Sequence, residues 1–122
     1  MSPYFCESTP TTPRVLLDAS TGKLEISGRS LPENTSQFYE PVLYWLQRYL
    51  KAPQITTCLE VNLEYYNSGS NMVIFKIMRM LEGLPGLVVI WAYHPDDEEM
   101  LEAGRELSRD THVTFAFREH VE

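Results

Sequence analysis

From Thr35 to Phe117 the chain alternates helix-like and strand-like patterns three times, and this alternation limits the possible folds more than any other feature. Phe38, Val42, Trp45 and Tyr49 recur at intervals of four, three and four, which places them on one helical face, and Leu46 and Leu50 widen it. The helix they define is predicted to start where Thr35 or Ser36 caps it and to run to about Lys51, with Pro41 near its first turn and Pro53 beyond its end. Thr56 to Leu63 (TTCLEVNL) is strand-like. A second helix is predicted from Asn71 to about Glu82, stopped by Gly83 and Pro85. Leu87 to Tyr93 (LVVIWAY) is continuously apolar, the pattern of a central strand covered on both faces. After Pro95 a third helix is predicted over about Asp96 to Arg109, and Val113 to Phe117 (VTFAF) reads as the last strand.

Upstream, Arg14 to Asp18 and the alternating Lys23 to Ser27 flank the turn Ser20-Thr21-Gly22, which is a hairpin signature. Gly28 to Asn34 is predicted as a loop. Residues 1–13, with Pro3, Pro10, Pro13 and several Ser and Thr, are expected to be a flexible lead-in. The expected architecture is a single α/β domain over residues 14–122. Its element order is β-β-α-β-α-β-α-β, with a largely parallel mixed sheet and an N-terminal hairpin.

Composition narrows the function classes. At 122 residues there is room for one domain with its own core. Ten Lys and Arg against 17 Asp and Glu, without a basic run, argue against nucleic-acid backbone binding and against anionic membrane surfaces. No apolar run reaches membrane-spanning length, and Met1 to Pro13 lacks the regions of a secretory signal. Cys6 and Cys58 form no CxxC pair and are read as free thiols of a reduced cytoplasm.

Asn67-Ser68-Gly69-Ser70 lies between a buried strand and a helix, where a hydroxyl meets free N–H groups and the positive end of the helix dipole. An added phosphate is stabilised there, although most such serines are simply N-caps. The absence of a Lys and of longer Gly-rich spacing argues against a P-loop. The second helix is unusually apolar: Met72, Val73, Ile74, Phe75, Ile77, Met78, Met80 and Leu81 leave Asn71, Lys76, Arg79 and Glu82 as its polar positions. Either neighbours bury it on two sides or its flank meets another protein, with Asn71, Met72, Phe75, Lys76 and Arg79 as candidate contacts. His94, Asp96 and Glu98 invite a metal reading, but acids in a helix's first turn are better explained by its dipole, and carboxylates at 96–99 fan around a helix. No catalytic constellation stands out, and no cofactor or metal is expected.

The order and spacing of several segments add a resemblance. These are Thr12-Pro13, Gly22 to Gly28 (GKLEISG), Pro32-Glu33-Asn34, Phe38 to Val42 (FYEPV) with Trp45 and Tyr49, Leu63 to Ser68 (LEYYNS), Trp91-Ala92-Tyr93, Asp96, Asp97 and Glu102-Ala103-Gly104. From about Thr12 to Phe117 the chain resembles the SiaC family of bacterial regulatory phosphoproteins. The resemblance implies a fold similar to anti-sigma-factor-antagonist (STAS-like) domains and a non-enzymatic switch. It implies a Ser/Thr kinase, an opposing PP2C-type phosphatase, and a diguanylate cyclase that the unphosphorylated form binds and activates, raising cyclic di-GMP and promoting biofilm formation. The family motif is close to Asn-Thr-Ser-Ser followed by a Lys. Here Ser68 takes the acceptor position, Gly69 replaces a hydroxyl residue, and Ser70 stands as a second candidate acceptor. The alternative is a constitutive STAS-like interaction module or an anti-sigma-factor antagonist. The apolar second helix also suits a homodimer.

Overall fold

The computed structural model describes residues 1–120. Six strands form one mixed sheet in simple chain order. They are β1 (Tyr4–Cys6), β2 (Arg14–Asp18), β3 (Lys23–Ser30), β4 (Thr57–Tyr66), β5 (Leu87–Tyr93) and β6 (Phe115–Glu119). The helices α1 (Thr35–Tyr49), α2 (Ser68–Leu81) and α3 (Glu98–Asp110) connect β3 to β4, β4 to β5 and β5 to β6. β1, β2 and β3 are antiparallel neighbours, and β3 to β6 are parallel.

Each of the three crossovers steps to the next strand in the same direction. Right-handed crossovers of that kind put every helix on one face. The contacts agree: the buried Tyr49 of α1 bonds Thr57 Oγ1 at 2.7 Å, and the Trp91 Nε1–H donates to Met100 O of α3 at 2.8 Å. Strand register places Leu24 beside Leu59 and Val89, and Ile26 beside Val61 and Trp91. All six are buried and form the sheet side of the core. Tyr39, Val42, Trp45, Leu46, Ile74, Ile77, Met78 and Leu81 cover them from the helix side.

Among the described residues the opposite face carries no helix, which corrects the expectation that Leu87–Tyr93 is covered on both sides. Its Val88 and Ile90 are half-buried and belong to this open face. One row across it reads Leu16, Glu25, Glu60, Ile90, Ala116. Glu25 and Glu60 are direct cross-strand neighbours, a like-charge pair that destabilises a sheet unless compensated. Arg14 pairs with Glu25, and Arg118 pairs with Glu60 at 2.8 Å.

Several boundaries move. The lead-in contains β1, whose Tyr4, Phe5 and Cys6 pair with Leu17, Leu16 and Val15. The Trp45 Nε1–H also donates to Ser2 O at 3.0 Å, so the segment read as flexible is tied to the domain at two points. The expected loop after Ser27 begins three residues later, because β3 continues past an irregularity at Gly28/Arg29 to Ser30. Asn34 caps α1 in place of Thr35 or Ser36, its side chain accepting from Gln37 N at 3.0 Å. Pro41 therefore sits in the second turn, where its missing N–H leaves the exposed Gln37 carbonyl to water.

Candidate functional site

α2 begins at Ser68, three residues earlier than the periodicity suggested. The reason is Asn67: its side-chain oxygen accepts from Ser70 N at 2.8 Å, and its amide donates to Pro32 O at 3.3 Å. Its backbone N–H donates to Ser30 O at 3.0 Å. Asn67 is the N-cap, so neither Ser68 nor Ser70 has that role.

The two serines differ sharply. Ser68, the first helical residue, is exposed, and among the described residues its hydroxyl has no hydrogen-bond partner. The N–H groups of Ser68 and Gly69 lie in the first turn, where no intrahelical carbonyl reaches them. Ser70 is fully buried. Its hydroxyl donates to Ser30 O at 2.9 Å and lies 2.8 Å from Ser30 Oγ. Ser30 Oγ is in turn 2.6 Å from the Tyr39 hydroxyl. Each hydroxyl has one proton, so the direction is determined: Ser70 gives its proton to the Ser30 carbonyl, Ser30 donates to Ser70 Oγ, and Tyr39 donates to Ser30 Oγ. Burial pushes the Tyr39 phenol up to about 12. The Ser68 hydroxyl is open to solvent in the folded domain, whereas the Ser70 hydroxyl is reached only by opening the junction of β3, α1 and α2.

Ser68 borders a cleft of about 710 Å³ at the C-terminal ends of β4 and β5. The strand order never reverses, so this is not the switch-point crevice of doubly wound nucleotide-binding sheets. Glu64, Asp96, Asp97 and Glu99 line the cleft with His94, while Glu98 lies outside it. Asp97 caps α3, accepting from Met100 N at 3.0 Å, and Asp96 N donates to His94 Nδ1 at 3.2 Å. Among the described residues no three His, Cys, Asp or Glu side chains come together to hold a metal ion. Burial, with the carboxylates of Glu106 and Asp97 adding to it, raises the Tyr66 phenol above its ordinary value.

Asn71, Met72, Phe75, Lys76 and Arg79 all lie on the outer surface of α2. Met72 is 72% exposed, and Arg79 stands over the Phe75 ring at 6.0 Å. α2 buries one face against the sheet and a flank against α1, so neighbours cover it on two sides and its outer surface stays open. The hydroxyl junction of Ser30, Tyr39 and Ser70 left no sequence signal, because its members are far apart in the chain. Asn67 did leave one, because Asn is among the favoured N-cap residues and stands three positions before Ser70.

A one-sided α/β domain with an exposed hydroxyl at a helix N-terminus, next to an uncovered apolar helix surface, has the parts of a protein-binding regulator. Sequence comparison places the chain in a defined group: residues 6–120 match the SiaC family of regulatory phosphoproteins, and the chain belongs to that family. An uncharacterized protein of Pseudomonas aeruginosa strain UCBPP-PA14 is 30% identical over 127 residues and is matched along the whole of both chains. The crystal structure of apo-SiaC from P. aeruginosa superposes with a TM-score of 0.87 at 29% identity, covering 97% of this chain and 99% of that one. SiaC in the crystal structure of the diguanylate cyclase SiaD with its activator SiaC, also from P. aeruginosa, gives a TM-score of 0.89 at 29% identity over 96% of this chain and 99% of that one. The single domain, the six-stranded mixed sheet and the three helices are those of these SiaC structures. Among the described residues no helix is long and apolar enough to cross a membrane.

Proposed function

We propose that this protein is a non-enzymatic cytoplasmic switch that binds and activates a diguanylate cyclase while Ser68 is free and releases it when Ser68 is phosphorylated. A Ser/Thr kinase adds the phosphate and a PP2C-type phosphatase removes it. The observation that carries the reading is the contrast at the start of α2, where Ser68 offers an exposed, unpartnered hydroxyl and Ser70 is fully buried in a hydrogen-bonded junction. The relationship to a cyclase activator supports the choice of partner. Phosphate on Ser68 gains the first-turn N–H groups of α2 and adds about two negative charges to the outer rim. Contacts across Asn71, Met72, Phe75, Lys76 and Arg79 then meet a changed charge.

The test is phosphosite mapping by mass spectrometry on protein from its own host, paired with a binding assay of Ser68→Asp and Ser68→Ala against the cyclase. Phosphate on Ser68, with weakened binding by Ser68→Asp alone, is the expected result. Protein that stays unmodified under all growth conditions, or a Ser68→Asp variant that binds undiminished, sinks the reading in favour of a constitutive module.

A further inference from the structure

Arg29 stands in β3 just past the irregularity at Gly28, beside Tyr65 of β4. Its guanidinium lies 5.2 Å from the centre of the Tyr65 ring. Tyr65 and Ser68 both line the cleft of about 710 Å³ at the ends of β4 and β5. The carbonyl of Ser30, the next residue of β3, accepts from Asn67 N and from the Ser70 hydroxyl, which ties the end of β3 to the first turn of α2. Arg29 precedes Ser30 and Ser68 follows Asn67, so the two residues flank one hydrogen-bonded junction.

Among the described residues Arg29 has no ion-pair partner, whereas Arg14, Arg79, Arg105, Arg109 and Arg118 each have a glutamate. Among those residues no Lys or Arg lines the cleft itself, whose charged walls are Glu64, Asp96, Asp97 and Glu99. Arg29, over the ring of Tyr65, is the cation that this wall brings to the border of the cleft. Stacking on an aromatic ring occupies the flat face of a guanidinium and leaves the N–H donors in its plane free. Tyr65 therefore holds the exposed Arg29 in place with its donors unused.

We propose that Arg29 clamps the phosphate once Ser68 is modified, its in-plane N–H groups donating to the phosphate oxygens while its face stays on the Tyr65 ring. The inference rests on the switch reading for the modification itself, and adds the residue that fixes the phosphate in place. The carboxylates of Glu64, Asp96, Asp97 and Glu99 repel a phosphate from the cleft. Arg29 and the first-turn N–H groups of α2 attract it away from them. The fork of a guanidinium matches phosphate oxygens in pairs, whereas a Lys ammonium offers a point charge. A phosphate held in this way puts its charge at one fixed place on the rim, beside the end of β3, instead of spreading it over the rotamers of a loose side chain.

The experiment installs phosphoserine at Ser68 of the full chain with an orthogonal suppressor tRNA, which requires neither the kinase nor the cyclase. Phosphorus NMR then follows the second ionisation of the phosphate, ordinarily at about pH 6. The wild type is compared with Arg29→Gln, Arg29→Lys and Lys23→Gln, and circular dichroism confirms that each is folded. Arg29 favours the dianion, so Arg29→Gln is expected to raise that pKa by about half a unit or more at low salt. High salt is expected to narrow the difference. Arg29→Lys is expected to restore part of the shift. Lys23→Gln, at the other end of β3, is expected to titrate as the wild type. A phosphate that titrates alike with Arg29 and with Gln in its place overturns the clamp and leaves the switch reading standing. An equal shift in Lys23→Gln also overturns it, because the effect is then one of net charge. Host protein that is never phosphorylated on Ser68 overturns the switch reading and the clamp with it.

Discussion

The Ser70 hydroxyl lies 2.8 Å from that of Ser30, forty residues earlier in the chain. Through it the first turn of α2 is fastened to the end of β3, and Tyr39 extends the connection to α1. The exposed Ser68 is thus presented on a rigid support.

The two serines respond differently to truncation. Ser70→Ala removes the donor to the Ser30 carbonyl and the acceptor of the Ser30 hydroxyl, both inside the core, and is expected to cost about 1–3 kcal/mol. Ser68→Ala removes an exposed hydroxyl and is expected to stay within about 0.5 kcal/mol of the wild type. Urea unfolding of the two variants checks the contrast; equal losses would contradict it.

Asn67→Ala deletes the cap of α2 and the tie to Pro32. A loss of about 1–2 kcal/mol is expected, the usual cost of an N-cap with a further hydrogen bond. Amide hydrogen exchange should show the protection loss concentrated in the first turn of α2, around Ser70 and Asn71. Uniform loss across the sheet would argue against a local role.

Gly104 packs against Trp91 so closely that an added Cβ would stand 2.5 Å from Trp91 Cδ1. Trp91 cannot yield easily, because it is fully buried and its indole N–H is held by Met100 O. Gly104→Ala therefore overpacks the seam between α3 and β5, and a loss of about 1–3 kcal/mol is expected despite Ala being the better helix former. Thermal melting with indole fluorescence reads both the stability and the displaced ring. An unchanged or raised Tm would refute the overpacking.

Tyr39 sets an alkaline limit. Its folded pKa is pushed up to about 12 by burial, from an ordinary value near 10.0. The unfolded chain therefore releases the phenolic proton first, and stability is fully present below about pH 10 and lost as pH rises toward 12. Two units correspond to at most about 3 kcal/mol. Tyr39→Phe, less stable at neutral pH through loss of the donor to Ser30, is expected to lose less further stability over that window. Denaturant titrations from about pH 8 to about pH 11, across the range in which the unfolded phenol titrates, check the difference in slope; parallel profiles would refute it.

Local periodicity made the elements legible, because a helix or strand shows its buried face within a few residues. The spacing of Phe38 to Tyr49 and the run from Leu87 to Tyr93 located α1 and β5, and the block from Leu63 to Ser68 pointed to the candidate acceptor. What stayed hidden depends on residues that meet only in three dimensions. The apolar run of β5 looked covered on both faces, yet three crossovers of one hand in one direction leave its second face open. Residues 1–13 lacked the composition to order themselves, and β1 forms because β2 offers it an edge. Ser68 and Ser70 are chemically alike and two positions apart. Sequence alone placed both at the start of a helix. Which one faces solvent was decided by the packing of α2 against Ser30 and Tyr39, through contacts thirty or more residues away that no local pattern encodes.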